Sequence, residues 1–155
     1  MRVIMLVSGI VVLITCAAFF IYEFYSFRQN TIQKLYTLGE IVSNNSTAAL
    51  AFRDKDDAEE ILNALKAESG IVAAGIYDAD GVLFCQYHAG KGKKNLPEKP
   101  GAIGYNYVQS ALEGFQPIVQ GDKKLGTLYL RSDLKAMYKR FRLYGIIVFF
   151  VLCFS

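Results

Sequence analysis

Apolar and polar positions divide the chain into three stretches. From Val3 to Tyr22 (VIMLVSGIVVLITCAAFFIY) there is no charged side chain and no proline. A helix of this length, at about 1.5 Å per residue, reaches about 30 Å, the thickness of a bilayer's hydrocarbon core. It also satisfies its own backbone polar groups in lipid. A second apolar run, Leu143 to Ser155 (LYGIIVFFVLCFS), closes the chain. It reads as the start of a second membrane helix, truncated after about 20 Å. Between the two lies a polar stretch about as long as one ordinary domain. The expected organisation is an N-terminal transmembrane helix over 1–24, an extramembrane domain over 25–142 and the beginning of a second span over 143–155.

Within the polar stretch the period changes from helical to strand-like. Glu23 to about Phe52 holds no proline and continues the first helix. Leu35, Leu38, Val42, Asn45, Ala49 and Phe52 recur at alternating spacings of three and four, one stripe of a helix with a single polar member. Ile41 and Ala48 widen it. The stripe is expected to pair with a second subunit, Asn45 fixing the register; the alternative is packing on the domain's own sheet. Arg53 to Asp57 (RDKDD) breaks this helix and opens another, with an aspartate as N-cap and Glu59 and Glu60 near the positive end of the dipole. Ala58, Ile61, Leu62 and Leu65 give the second helix an apolar face, and Gly70 suits its stop.

Strand patterns follow. Ile71–Tyr77 and Val82–Tyr87 flank an Asp80-Gly81 turn and read as a hairpin. A basic, irregular loop covers Ala89 to Gly104, with Lys91, Lys93, Lys94 and Lys99 among prolines and glycines. Tyr105–Val108 is a short strand. Leu112–Gln120 and Leu125–Arg131 are longer ones, joined by Gly121-Asp122-Lys123-Lys124, and Pro117 favours an edge or a bulge. Ser132-Asp133 is expected to cap a helix running through Met137 and Phe141 into the second apolar run. The pattern is α/β: a helix from the membrane, a sheet of about five strands, and a helix returning.

Composition agrees with this plan. The chain is 53% hydrophobic, with a mean hydropathy of +0.25, and every charged side chain except Arg2 lies between Glu23 and Arg142. The net charge of +3, with no basic stripe interleaved with aromatics, gives no case for nucleic acid. Arg2 precedes an apolar run longer than a signal-peptide core, and no small-x-small cleavage site follows, so the run reads as an uncleaved anchor. Leu13-Ile14-Thr15-Cys16 is a poor lipoprotein box, because the apolar run continues past it; lipid attachment at Cys16 is the weaker alternative. Arg2 favours a cytoplasmic N-terminus, whereas Lys135, Lys139, Arg140 and Arg142 before the second run oppose the positive-inside tendency. Cys85 is the only thiol of the middle domain and fits a small buried side chain, so this is no disulfide-stapled fold.

No catalytic constellation is legible: there is no phosphate-binding glycine loop and no nucleophile beside a base. Asp78 and Asp80 open like a calcium loop, but the rest of that pattern is missing. His88 has only Cys85 nearby, at an odd offset that points the two to opposite faces of a strand. Neither a metal nor a cofactor is expected.

Two blocks, LYTLGEIVSNNSTAALAFRDKDDAEEILNALKAESGIVAAGIYDADGVLFCQY (Leu35 to Tyr87) and PIVQGDKKLGTLYLRSDL (Pro117 to Leu134), resemble the extracytoplasmic CHASE-type sensor module of the eighth subtype. The likeness rests on Asn45, Ala48–Phe52, the Ala58–Leu65 helix, the Tyr77–Gly81 turn and Leu125–Leu130. It implies a PAS-like periplasmic domain between two helices of the bacterial inner membrane. It also implies a HAMP linker with a diguanylate cyclase (GGDEF) or histidine kinase output, and neither motif is present in this chain. Some membrane cyclases of this kind are held off by a periplasmic repressor protein, a possible partner alongside a small ligand. The chain is therefore expected to be a non-enzymatic signal-input region and a homodimer. Phe84, Tyr87, Tyr105, Tyr107, Phe115 and Tyr129 are the candidate pocket-lining side chains. The alternative is a membrane-anchored binding or assembly protein without signalling output.

Overall fold

A computed structural model of the chain describes residues 2–68, 70–89 and 96–134. The chain divides into two compact units, Met1–Lys34 and Leu35–Ser155. Helix α1 runs Arg2–Phe52 and α2 runs Lys55–Ala64, followed by a short 3-10 turn, Leu65–Ala67. Five strands come next: β1 (Ile71–Asp78), β2 (Leu83–His88), β3 (Gly104–Val108), β4 (Ala111–Gln120) and β5 (Lys123–Asp133).

The first unit is the N-terminal part of α1. Val7, Ile10, Val11, Ile14, Phe19 and Ile21 are all exposed on it. Among the described residues this is the one helix long and apolar enough to cross a membrane. The hydroxyl of Thr15 donates to the carbonyl of Val11 at 2.8 Å, so this polar group does not resist an apolar surrounding. Past the apolar run, the Arg28 guanidinium lies 5.9 Å from the centre of the Phe24 ring. The second apolar run, Leu143–Ser155, lies outside the described residues.

The second unit is an antiparallel sheet in the order β2-β1-β5-β4-β3, with helices on one face. Leu35, Val42, Ser46, Ala49 and Leu50 of α1 are buried, a helical stripe laid on the sheet. Alternation along the strands turns Ala74, Ile76, Leu128, Leu130, Gln116 and Ile118 to that face. Gly126 lets α1 approach: a Cβ there would collide with the Tyr77 carbonyl oxygen and crowd Leu50. Helix α2 packs on β1 and β2 through Ala58 and Leu62. Its N-cap is Asp54, whose side chain accepts from the Asp57 N–H at 3.1 Å, an arrangement usually worth about 1 kcal/mol.

The opposite face carries Ala73, Tyr77, Phe115 and Tyr129, covered by Leu96. A Cβ at Gly75 would strike the Leu96 side chain, so the loop seats directly on β1. The β1–β2 turn closes as expected from Asp80-Gly81: Asp78 Oδ1 accepts from the N–H groups of Asp80 (3.0 Å) and Val82 (2.9 Å), and Gly81 has φ of 79°. Pro117 lies where β4 has outrun β3, which pairs only as far as Phe115. Its missing N–H therefore interrupts no ladder on that side.

Two boundaries differ from the sequence reading. Lys123 and Lys124 belong to β5, pairing with Gln120 and Val119, so the hairpin turn is only Gly121-Asp122. Ser132 and Asp133 also belong to β5, which therefore runs two residues past Arg131. The Gly70 carbonyl accepts from the Asp133 N–H (2.9 Å) and the Ser132 hydroxyl (3.1 Å), a long-range pairing that local pattern does not contain. The helix expected through Met137 and Phe141 lies outside the described residues. One residue departs from ordinary backbone just past α1: Arg53, at φ of 55°, where glycine is usual and another side chain costs about 1–2 kcal/mol.

Replacing Gly126 by alanine is expected to destabilise the domain by about 2–3 kcal/mol, because the clash is with backbone and cannot be relieved by a rotamer change. Urea unfolding of wild type and Gly126→Ala checks this; an unchanged midpoint would show that β1 and α1 are not held this close.

Candidate functional site

The six aromatic residues singled out from the sequence do not converge on one pocket. Phe115 and Tyr129 do meet, on the loop-covered face, with ring centres 5.1 Å apart; Tyr77 joins them at 6.4 Å from Phe115. Tyr105 lies on the helix-covered face, donating its hydroxyl to Gln116 Oε1 at 2.8 Å and meeting Tyr36 of α1 edge-on at 6.5 Å. Tyr87, opposite Ala74, is buried on that same face. Tyr107 is half-buried on the edge strand β3. Phe84 stands apart at the β1–β2 end of the domain.

Both faces are tightly used. Tyr77 donates to the Pro97 carbonyl at 2.5 Å, which pins the loop over the aromatic cluster. Beside it, Tyr129 donates to Glu113 Oε2 at 2.8 Å, and Arg131 binds the same oxygen at 2.9 Å. With both side chains under a quarter exposed, this charge-assisted group fixes β4 against β5. On the helix face Gly39 makes room for the Tyr105–Gln116 pair; any Cβ there would displace both side chains. The Arg131 Nε and the His88 Nδ1 are shielded and without a hydrogen-bond partner among the described residues.

Burial pushes the Cys85 thiol up to about 11, with Glu59 of α2 adding to the effect. It also raises Tyr77 and Tyr105, the latter helped by Tyr36. Tyr129 is raised by burial first and by its hydrogen bond to Glu113 second. Cys85 is a protonated core side chain and not a nucleophile. No group of three or more metal-ligating side chains occurs among the described residues.

The stripe expected to pair subunits is divided by the fold. Leu35, Val42 and Ala49 are buried against the domain's own sheet, Leu38 is half-buried, and Asn45 and Phe52 are exposed. The structure also forms a groove of about 330 Å³ beside the end of α1. Arg53, Lys123 and Lys124 line it, as does Phe84, the only one of the six aromatics that does so. The sequence reading missed this groove, because its members come from an inter-helix break and two hairpins. The one local signal was a non-glycine residue where α1 must stop.

A family model described as a periplasmic sensor domain, CHASE8, matches residues 27–131. No curated protein matches the chain. The match covers more than half of the chain, and the chain belongs to that family.

The raised thiol and phenols make stability fall on the alkaline side. A group whose folded pKa exceeds its unfolded value contributes fully below the unfolded value and loses that contribution as pH rises through the folded one. The thermal midpoint, followed by circular dichroism, is therefore expected to be flat to about pH 9, then to fall, first through Cys85 and then through the tyrosines. A midpoint that rises above that pH would contradict the buried placement of these groups.

Proposed function

We propose that this CHASE8 member is the signal-input region of a bacterial inner-membrane receptor. Its periplasmic domain governs a cytoplasmic output, a diguanylate cyclase or a histidine kinase reached through a HAMP linker. The supporting observation is that the periplasmic-sensor match begins at residue 27 on α1, the same helix that carries the apolar run. In this reading residues 1–24 are the anchor, residues 25–142 the PAS-like sensor, and Leu143–Ser155 enter the membrane again as a second span. The input is a small ligand or a periplasmic repressor protein.

The receptor works as a homodimer. The outward side of α1 offers Leu38, Ile41, Asn45, Ala48 and Phe52, at successive spacings of three, four, three and four. Ile41 is 53% and Phe52 84% exposed, large apolar side chains for which the domain itself supplies no cover. That spacing is a coiled-coil seam, and Asn45 at its centre specifies register. Two copies packed along this seam would have more than one arrangement, and a ligand that favours one arrangement shifts their populations. The helix that bears the seam also bears the anchor, so the shift passes into the membrane.

Single cysteines in a background with Cys16, Cys85 and Cys153 changed to serine test this in native membranes. Ile41→Cys and Ala48→Cys are expected to form disulfide-linked dimers on mild oxidation, and Val42→Cys, which faces the sheet, is not. Absence of crosslinking at both outward positions would remove the dimer. In intact cells Asp122→Cys is expected to react with a membrane-impermeant maleimide from the periplasmic side; protection there would overturn the orientation.

A further inference from the structure

The groove beside the end of α1 has an unusual balance of charge. Arg53, Lys123 and Lys124 line it from the α1–α2 break and the β4–β5 hairpin. None of the three forms an ion pair among the described residues. Two carboxylates share the groove, but Asp78 is committed to its own turn through the Asp80 and Val82 N–H groups. The groove therefore sets three cations against two carboxylates, a net positive charge, and of the two only the Asp80 carboxylate is without a hydrogen-bond partner among the described residues. Leu50, Phe84 and Leu125 supply an apolar wall. The volume of about 330 Å³ equals that of about ten water molecules, at the small end for ligand sites.

Arg53 is the second observation. It holds a left-handed backbone, φ 55°, at the position that closes α1: its N–H donates to the Leu50 carbonyl and the next N–H, that of Asp54, to the Ala49 carbonyl. Glycine satisfies such a stop with less strain. The chain thus places a guanidinium on the groove in a backbone conformation that glycine would hold with less strain, and that Gln109 also adopts at φ of 56° in the β3–β4 turn.

We propose that this groove binds a small organic acid of about ten non-hydrogen atoms. Its carboxylate is held by Arg53 with Lys123 and Lys124, and its apolar part lies on Leu50, Phe84 and Leu125. Arginine suits the role because its planar fork matches a carboxylate in two parallel hydrogen bonds. This deepens the receptor reading by naming the chemical class of the input, and it rests on that reading only for its consequence, not for binding.

The test is calorimetric titration of the whole 155-residue chain in phosphatidylcholine nanodiscs with hexanoate, with hexanamide as the uncharged control and inorganic phosphate as the control for charge alone. Hexanoate is expected to bind saturably and the two controls at least about tenfold more weakly, the factor corresponding to about 1.4 kcal/mol. Arg53→Gly is expected to weaken hexanoate by a similar factor while leaving the thermal midpoint unchanged or higher, which a merely structural arginine would not do. Lys123→Gln with Lys124→Gln, on an exposed hairpin, provides an independent variant expected to weaken binding likewise. No hexanoate binding up to about 10 mM, well past the weak millimolar range, would overturn the proposal, as would hexanamide binding equally well or both variants binding like wild type. Binding that leaves the Ile41→Cys crosslinking unchanged would overturn the signalling consequence and leave the site standing.

Discussion

The fold depends on how closely α1 can lie on the sheet. Its inner stripe, from Leu35 to Leu50, is buried, and two glycines set its distance from β3, β4 and β5. Gly39 on the helix makes way for the Tyr105–Gln116 pair, and Gly126 on β5 makes way for Leu50 while pairing against the β1 backbone. Burying a leucine or valine side chain contributes about 1.5–3 kcal/mol, so Leu35, Val42 and Leu50 give the helix a firm seat. The polar pair beneath it is tolerable because Tyr105 and Gln116 satisfy each other; either one alone would be a costly buried group.

From this seating follows the division of α1 into two working sides. A helix has only one face for one sheet, and the period of 3.6 residues rotates every other apolar position away from it. The sequence stripe from Leu35 to Phe52 mixes the two sides, because spacings of three and four alone do not say where a second surface lies. Leu35, Val42 and Ala49 are taken by the sheet. Ile41, Ala48 and Phe52 are left for something else. The same ambiguity explains the aromatics: strand alternation sends Tyr87 and Tyr105 to the helix face but Phe115 and Tyr129 to the loop face, and register, unlike composition, decides which pairs meet.

What was legible from the sequence was local chemistry. The aspartate N-cap of α2, the Asp78–Gly81 turn, the five strands, the place of Pro117 beyond the end of β3 and the buried state of Cys85 all follow from residues close in sequence. The length of β5 was not legible, because Ser132 is drawn into the strand by the Gly70 carbonyl, sixty-two residues away along the chain. Arg53 was read as part of a break between helices, which it is. Its left-handed backbone and its neighbours Lys123 and Lys124 are properties of the folded chain that no local pattern contains.

The position of the groove also bears on how a bound molecule could act. Its wall includes Leu50 and Arg53 of the α1 terminus together with Phe84 and Leu125 from the two hairpins. A ligand there touches the helix and the sheet at once, and so feels any sliding of one on the other. A binding site confined to the sheet would lack that sensitivity, because a ligand with equal affinity for two arrangements shifts neither. A tenfold preference for one arrangement moves the balance by about 1.4 kcal/mol, comparable with the strain held at Arg53. The strained stop of α1 is thus on the scale of the signal, and a carboxylate that binds only while Arg53 stands at the groove favours the arrangement of the helix end that keeps it there.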